Sequence, residues 1–494
     1  MKWLSGLFAR KSIESLITES EAAQSTTLPR TLGLFSLTCF GVGSTIGAGI
    51  FVLTGTVAAQ HAGPAIALSF LLASLACALA GLCYAELAAL VPVAGSAYTY
   101  AYATLGELAA WIIGWCLVVE YLLAGALVAI GWSGYAVSMA RDFGLALPPA
   151  LTQAPLDVTA AGLVTTGGVF NVPAAAILIV CTALLLVGTQ LSARVNDLIV
   201  IVKVAAILIV GIAGLAFAHP RLWSPFIPPN TGHFGEYGVS GVVTGAAILF
   251  YAYIGFDAVS AMSQETRQAQ RTVPLALIAS LIICTVLYVL VAQMVTGLVD
   301  YRLLRVADPI YVAIAAGGPA LSWAKPLVGI VVVVGLVSVL LVTLLGQVRI
   351  FYAMARDGLL PELFVAVHPR SGIPHVGTLV TGASAAIIAG LFPLNLLGEL
   401  MSIGTLLAFA IVCLGVIVLR QRRPELRRPF RVPCYPWIPL GGIGVCVVLM
   451  ASLPGDTWIR LLAWLMFGLV IYAAYGARRS VLRRAAGKNG AGAA

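Results

Sequence analysis

The stretch Gly43-Ser-Thr-Ile-Gly-Ala-Gly49 interrupts an apolar run that extends from about residue 32 to residue 57. A second stretch, Tyr253-Ile-Gly-Phe-Asp257, interrupts a run from about residue 241 to 261. Glycine clusters and a carboxylate weaken a helix where lipid offers the backbone no other hydrogen-bond partner. Such breaks are tolerated beside a cavity or a ligand, and matched breaks in two halves of a chain indicate the binding site of a transporter.

The composition of the surrounding chain indicates a membrane protein. Of its 494 residues, 61% are hydrophobic and only 10% are charged, and a soluble protein of this size could not solvate such a surface. The apolar runs are long and lack strand-like alternation, so we predict an all-α polytopic membrane protein rather than a β-barrel. Twelve transmembrane helices are predicted at 32–57, 65–90, 107–137, 173–190, 197–218, 241–262, 273–298, 326–353, 376–392, 397–419, 436–453 and 457–476.

The formal net charge of +9 is distributed in a way that argues against a nucleic-acid partner. Most lysines and arginines fall on the side of the membrane that carries both termini, which by the positive-inside rule is the cytoplasm. They concentrate in the segment Arg420–Arg431 and in the tail Arg478–Lys488, where anionic lipid headgroups are the expected partners. The expected location is the cytoplasmic membrane, and no cleavable signal peptide is recognised.

Cysteine and histidine give no indication of a metal site or a cofactor. Eight of the nine cysteines lie within predicted spans and Cys434 lies in a basic cytoplasmic loop, so no structural disulfide is expected. The five histidines are scattered over span ends and loops, which does not suit a metal site. No span carries a recognisable nucleophile–base pair, so we expect no catalytic residues and no enzyme activity.

The two breaks divide the chain into matching halves. They fall in spans 1 and 6, and because five spans is an odd number, the second set of five enters the membrane from the opposite side. Spans 1–5 (31–220) and spans 6–10 (221–421) are therefore predicted to form an inverted repeat. Spans 11 and 12 (422–480) follow the repeat, and the segments 1–30 and 481–494 are predicted to lie in the cytoplasm.

Three ionisable residues lie deep in predicted spans. Lys203 in span 5 costs roughly 2.5–3.5 kcal/mol at the middle of a membrane helix, unless it snorkels to the cytoplasmic end about 9 Å away. The functional alternative is an ammonium group that bonds to carbonyls freed by the span 1 break and exchanges a proton. Glu120 in span 3 either makes a structural hydrogen bond or carries a proton. Asp257 either caps the second half of span 6 or carries a proton.

The breaks suit the two ends of an α-amino acid. If span 1 unwinds at Gly43–Gly49, its second half begins near Ala48 with free N–H groups and a positive dipole end, which together bind a carboxylate. If span 6 unwinds at Tyr251–Gly255, its free carbonyls suit an ammonium group. The alternative is close helix packing through Gly43 and Gly47, which are four residues apart.

Several segments resemble those of the amino acid–polyamine–organocation superfamily, and within it the cationic amino acid transporter group and its bacterial relatives. The resemblance extends from about residue 30 to residue 480. The segments that carry it are Gly43-Ser-Thr-Ile-Gly-Ala-Gly-Ile-Phe51, Cys83-Tyr-Ala-Glu-Leu-Ala88, Pro92-Val-Ala-Gly-Ser-Ala-Tyr-Thr-Tyr100, Ala252-Tyr-Ile-Gly-Phe-Asp-Ala-Val-Ser260, Gly346-Gln-Val-Arg-Ile-Phe-Tyr-Ala-Met-Ala-Arg-Asp-Gly-Leu-Leu-Pro361 and Glu399-Leu-Met-Ser-Ile-Gly-Thr-Leu-Leu-Ala-Phe409.

The resemblance implies a five-plus-five inverted repeat of the leucine-transporter type, with spans 1 and 6 discontinuous and two helices appended. It also implies sodium-independent proton coupling, because sodium-independent members carry a lysine where Lys203 stands, and family patterns have carboxylates at Glu120 and Asp257. The chain departs from the commoner Gly-Thr-Gly or Gly-Ser-Gly at Ala48, so we expect altered affinity or selectivity. The substrate-binding residues that the resemblance implies are Thr45, Ile46, Gly47, Ala48, Gly49, Tyr251, Ala252, Ile254 and Gly255.

The resulting prediction is a secondary transporter that moves an L-amino acid across the cytoplasmic membrane by alternating access. An exchanger or exporter stays open as an alternative, and a non-transporting amino acid sensor is a further one. The substrate side chain is left open between a cationic and a neutral amino acid such as alanine, because Glu120 and Asp257 both have structural roles available to them. The oligomeric state and the presence of a small membrane subunit are also left open.

Overall fold

The computed structural model describes residues 9–12, 32–90, 96–159, 162–188, 193–256, 258–262, 266–367 and 373–484. Most of the predicted cytoplasmic segment 1–30, most of the tail 481–494 and the residue Asp257 lie outside this part of the chain. The boundaries predicted for the two repeats stay predictions.

The first half of the chain forms apolar helices and one short β-hairpin. The helices are α1 (Leu34–Thr45), α2 (Ile66–Leu90), α3 (Ser96–Thr104), α4 (Glu107–Asp142), α5 (Val172–Val187) and α6 (Ala193–Ala216). Between α1 and α2 the chain continues as a π-helix (Gly49–Leu53), a short α-helix (Thr54–Val57), a second π-helix (Ala58–Ala62) and a 3-10 turn (Gly63–Ala65). The antiparallel strands β1 (Leu156–Thr159) and β2 (Gly162–Thr165) lie in the predicted external loop 138–172, with Leu156 opposite Thr165.

The second half is also built of helices. They are α7 (Gly238–Leu249) with its 3-10 extension (Phe250–Tyr253), α8 (Ala258–Ala261), α9 (Ala269–Leu298), α10 (Pro309–Ala316), α11 (Ala324–Arg356), α12 (His375–Leu391), α13 (Leu394–Arg422), α14 (Trp437–Ala451), α15 (Gly455–Ile471), a π-turn (Tyr472–Gly476) and α16 (Ala477–Arg479). Short 3-10 turns occur in the connections at Pro149–Leu151, Pro220–Trp223, Tyr301–Leu303, Pro319–Leu321 and Glu362–Phe364.

The length and composition of these helices confirm a mostly helical, polytopic membrane protein. Within the described residues, seven helical stretches are long and apolar enough to cross a membrane: Gly49–Leu90, Glu107–Asp142, Val195–Ala216, Ala269–Leu298, Ala324–Arg356, Leu396–Arg422 and Gly455–Arg484. Shorter apolar helices are Leu34–Thr45, Val172–Val187, Gly238–Tyr253, His375–Leu391 and Trp437–Ala451.

The outer surface of the bundle is apolar, as a lipid-facing surface must be. On α6, for example, large apolar side chains are exposed in succession, and these are Leu198, Ile201, Val202, Leu208, Ile209 and Ile212. A monomeric soluble protein rarely exposes such a continuous apolar face. The same helix buries Lys203 on its opposite side, where the side chain is only 1% exposed. The ammonium group in the apolar part of α6 therefore faces the interior of the bundle.

The packing of the helices brings the two glycine-rich stretches together at the centre. Helix α1 packs against α6 and α9, α2 packs against α7 and α9, and α4 lies along α11. The π-helix that follows α1 contacts the 3-10 turn that follows α7. Residues about 200 positions apart in the chain thus share one location in the bundle.

Glu399, near the start of α13, lies against a neighbouring helix. Its side chain is only 21% exposed. It accepts a hydrogen bond from Thr457 at 2.9 Å and lies 3.8 Å from Arg460, both on α15. The end of the span is covered by the neighbouring helix, so the carboxylate serves helix packing.

Candidate functional site

The backbone leaves helical geometry at the end of α1. The helix ends at Thr45, Ile46 has φ −74° and ψ 89°, and helical structure resumes with the π-helix at Gly49. The first N–H groups of a helix have no acceptor within that helix. The chain from Ile46 to Gly49 therefore presents backbone groups for bonds outside its own helix.

The backbone leaves helical geometry a second time after α7. The 3-10 turn ends at Tyr253, Ile254 is extended with ψ 136°, and Gly255 has φ +119°. A side chain would strain the backbone at this φ, so the conformation requires glycine at position 255. The carbonyl groups of this extended segment do not take part in a regular helix. The same holds for the N–H groups after α1.

These two segments are in direct contact. A methyl group added to Gly49 would lie 2.3 Å from the Cβ of Ala252, and one added to Gly255 would lie 2.7 Å from the carbonyl oxygen of Ser44. The Ser44 hydroxyl donates a hydrogen bond to the carbonyl of Gly255 at 2.9 Å. Glycine at both positions is what allows the two backbones to approach this closely.

Tyr288 of α9 connects the two segments through hydrogen bonds to the backbone. Its hydroxyl oxygen lies 2.8 Å from the carbonyl oxygen of Thr45 and 2.6 Å from that of Ala252, so both carbonyls accept from one hydroxyl group. The side chain is fully buried. Tyr288 could not be recognised from the sequence, because a single tyrosine within an apolar helix carries no sign of its partner.

A cavity lies beside the two segments. Seven of the nine predicted substrate-binding residues line it, together with Glu120. The full lining is Ser44, Thr45, Gly47, Ala48, Gly49, Glu120, Tyr121, Ala124, Tyr251, Ile254, Gly255, Val339, Val342 and Thr343. Ile46 and Ala252 lie outside this lining, because Ile46 turns its carbonyl to Lys203 and Ala252 packs on Gly49.

Lys203 lies behind the end of α1 and does not line the cavity. Its ammonium nitrogen donates to the carbonyl oxygen of Ile46 at 3.2 Å. Helix α11 covers the lysine from the other side, since a methyl group added to Gly335 would lie 2.8 Å from Lys203 Cε. The side chain thus points into the bundle and is tied to the backbone of the first segment. Asp257, the third ionisable residue predicted for the site, lies outside the described residues.

The wall of the cavity opposite the two segments was not predicted. It consists of Tyr121 and Ala124 from α4 and of Val339, Val342 and Thr343 from α11. These positions follow helical spacing on one face of each helix, but so does every buried face of a bundle. The sequence contains no motif that would have selected this pair of faces.

A multi-pass helical bundle with a partly polar cavity at its centre is the architecture of a membrane transport protein. The model of the amino acid permease family matches residues 32–474. The chain therefore belongs to this family, within the amino acid–polyamine–organocation superfamily, and is a transporter rather than an enzyme.

Its relatives differ in the solutes for which they are named. The chain is 44% identical to the methylthioribose transporter of Bacillus subtilis (strain 168), over 97% of the chain and 100% of the relative. It is 42% identical to the branched-chain amino acid permease BcaP of the same organism, over 97% and 99%. It is 38% identical to the vacuolar cationic amino acid transporter 4 of Arabidopsis thaliana, over 85% of the chain and 68% of the relative. The chain is accordingly a permease for amino acids or related organic solutes.

Proposed function

We propose that this protein is a secondary active transporter that moves an L-amino acid across the cytoplasmic membrane by alternating access. The observation that carries the proposal is the central cavity, which is bounded by two non-helical backbone segments in contact with each other. The substrate carboxylate binds the N–H groups at Gly47–Gly49, and the ammonium group binds carbonyls of Tyr251–Gly255.

Thr45 adds a side chain to the carboxylate site. It lines the cavity and is only 3% exposed, and no described residue hydrogen bonds to its hydroxyl oxygen. A buried hydroxyl without a partner is costly, so a ligand that accepts its hydrogen would be favoured. In this proposal the Thr45 hydroxyl compensates for Ala48, which lacks the hydroxyl group that the resemblance leads us to expect at that position.

The architecture we infer is a five-plus-five inverted repeat of discontinuous helices, with both termini in the cytoplasm. The shorter apolar helices Leu34–Thr45 and Gly238–Tyr253 support it, because each would provide half of a discontinuous span. The arginines of the segment 420–431 and of the tail from 478 would then face the anionic lipids of the cytoplasmic leaflet.

We further propose that transport is coupled to protons through Lys203 and is independent of sodium. The contact between its ammonium group and the Ile46 carbonyl supports this role, because a change of charge on Lys203 would change the force that holds the first segment in place. Glu120, at the cavity, and Asp257 are the carboxylates proposed to take part in proton movement.

Uptake by the full-length protein in proteoliposomes tests the function. A panel of the twenty amino acids and methylthioribose would be offered under imposed proton and sodium gradients. We expect accumulation of at least one amino acid that follows the proton gradient and ignores sodium. Uptake of methylthioribose with none of any amino acid would overturn the substrate class, and binding without movement would favour a sensor. Counterflow that requires an amino acid on both sides would identify an exchanger.

The role of Lys203 can be tested with Lys203→Met, which keeps the bulk of the side chain and removes its charge. We expect uptake to fall at least tenfold and the remaining uptake to lose its dependence on the proton gradient. Lys325→Met is the matched control, because Lys325 lies at the start of α11, partly exposed, and pairs with Asp142. An unaltered pH dependence in Lys203→Met would remove the lysine from the coupling mechanism.

A further inference from the structure

A buried polar side chain on α11 lies close to the cavity without lining it. Gln347 of α11 is 0% exposed and lies four residues after Thr343, which lines the cavity. Four residues along a helix amount to about one turn, or ~5–6 Å between Cβ atoms on the same face. Gln347 therefore lies one turn beyond the cavity, in the direction of the end of α11.

The face of α11 that carries Gln347 is turned towards α4, the helix of Glu120 and Tyr121. Met354 of α11 contacts the position of Gly114 on α4, where an added methyl group would lie 2.9 Å from its sulfur. Gln347 precedes Met354 by seven residues, which is two turns of helix and the same face. The amide thus lies between the two helices that form the unpredicted wall of the cavity.

The amide of Gln347 has unused hydrogen-bonding capacity. Neither its nitrogen nor its oxygen has a hydrogen-bond partner among the described residues. The group offers two donors and an acceptor oxygen, and burying it without partners opposes folding. A buried amide of this kind in a native bundle calls for a ligand that satisfies it.

We infer that Gln347 is a specificity-determining residue and that the site takes amino acids whose side chains end in a hydrogen-bonding group. This inference rests on the proposed function, in which the two backbone segments hold the groups that all amino acids share. The side chain then extends to the opposite wall, past Thr343. The next polar group along that face of α11 is the amide of Gln347, which pairs with the end of a long polar side chain.

Neighbouring residues explain how the amide is kept from the cavity until a ligand reaches it. The ring of Tyr121 lies across α11 at Gly346, where an added methyl group would be 2.5 Å from its Cε1. Tyr121 and Thr343 both line the cavity. Thr343 lies one turn before Gln347 on α11, and the Tyr121 ring lies against the position next to Gln347 in the chain. A small displacement of these two side chains by the ligand connects the cavity with the amide.

Two ligands of similar length test this inference, namely L-glutamine, whose side chain ends in an amide, and L-methionine, whose side chain ends in a methyl group. Each would be tested as a competitor against uptake of a transported amino acid. Each would also be titrated in thermal-shift measurements on the full-length protein. We expect the wild-type protein to prefer glutamine at least tenfold. Gln347→Met should reduce the affinity for glutamine about tenfold and leave that for methionine unchanged or higher.

The controls separate a binding role from a structural one. Gln293→Met makes the same chemical change on α9, where Gln293 is partly exposed and away from the cavity, and it should leave the ratio of affinities unchanged. Gln347→Glu keeps an acceptor and should shift the preference towards L-lysine over L-methionine, which provides a test even where Gln347→Met fails to fold.

The outcomes distinguish this inference from the proposed function. A wild-type protein that binds no amino acid contradicts the function itself. A protein that binds amino acids but prefers methionine, or whose ratio is the same in wild type, Gln347→Met and Gln347→Glu, overturns the role of Gln347. Equal weakening of both ligands would show that the amide serves structure rather than selection.

Discussion

Gly49 and Gly255 show how single residues decide whether the two backbone segments can meet. Position 49 has no room for a side chain because the Cα and Cβ of Ala252 lie within 2.4 Å of where its Cβ would be. Position 255 excludes a side chain for a second reason, its φ of +119°. The two glycines, which the sequence shows as helix breakers, are thus required by close approach at both positions and, at position 255, by backbone conformation as well.

The first prediction concerns Gly49→Ala. The added methyl group meets backbone that cannot move without shifting α7, so we expect a loss of roughly 1–3 kcal/mol of stability and loss of uptake. Gly444→Ala on α14 is the control, because no atom lies within 4 Å of its added methyl group. The apparent melting temperature in detergent should fall for Gly49→Ala and stay constant or rise for Gly444→Ala. Equal melting temperatures for the two variants would contradict the close approach.

At the scale of the elements, the C-terminal end of α4 is joined to α10 and α11 through two carboxylates with different surroundings. Asp308, which precedes α10, accepts a hydrogen bond from Ser138 at 2.5 Å. Asp142 accepts from Lys325 at 2.7 Å and from the Tyr311 hydroxyl. Burial raises the pKa of Asp308, whereas the hydrogen bonds from Lys325 and Tyr311 lower the pKa of Asp142. The pKa values of these two carboxylates are therefore displaced in opposite directions from the ordinary value of an aspartate.

The second prediction is the pH dependence that Asp308 causes. Its raised pKa means that the native state binds a proton more readily than the unfolded state, so its contribution to stability decreases as pH rises through the raised pKa. We expect the melting temperature of Asp308→Asn to gain on that of the wild type between about pH 4 and pH 7. Asp142→Asn should run parallel to the wild type over this range and gain on it only as pH falls below about 4, because stability from the ionised form of Asp142 is lost as pH falls through its lowered pKa. Parallel curves for Asp308→Asn and the wild type above about pH 4, or for Asp142→Asn and the wild type below about pH 4, would contradict the corresponding assignment.

At the scale of the whole molecule, the described residues 9–12 and 472–484 lie at one end of the bundle. Glu107, the first residue of α4, is 0% exposed and accepts hydrogen bonds from Tyr472 at 2.7 Å and Tyr102 at 2.9 Å. It also pairs with Arg483 at 2.9 Å. Lys11, near the start of the chain, pairs with Asp357 at 2.5 Å on the adjacent helix end. These contacts close one end of the bundle with residues from both terminal regions of the described chain.

The third prediction is that this closure is held by charge. Glu107→Gln leaves the partly buried Arg483 without its counter-charge, so we expect a loss of roughly 3–5 kcal/mol. Glu362→Gln is the control, since Glu362 is exposed, and it should change stability by less than about 0.5 kcal/mol. Thermal unfolding of the full-length protein measures both, and a loss for Glu107→Gln no larger than that of the control would exclude a structural role of the charge.

Part of the candidate site could be predicted because it depends on residues that are close in the sequence. The glycine-rich stretch 43–49 and the stretch 251–255 were recognised from their composition, and most of their residues line the cavity. Tyr288, Thr343 and Gln347 were not predicted. Each is an isolated polar residue in an apolar helix, and its role depends on which distant backbone or side chain faces it.

The sequence by itself determined the membrane location, the helical class, the family and the two segments beside the cavity, because apolar length, glycine content and motif order are properties of the linear chain. Only the tertiary structure decided that Gly49 meets Ala252, that Lys203 bonds to Ile46, and that α4 and α11 form the opposite wall. These contacts join residues from separate helices. They depend on the rotation and register of whole helices, which apolar packing sets in three dimensions and which a periodic apolar sequence leaves open.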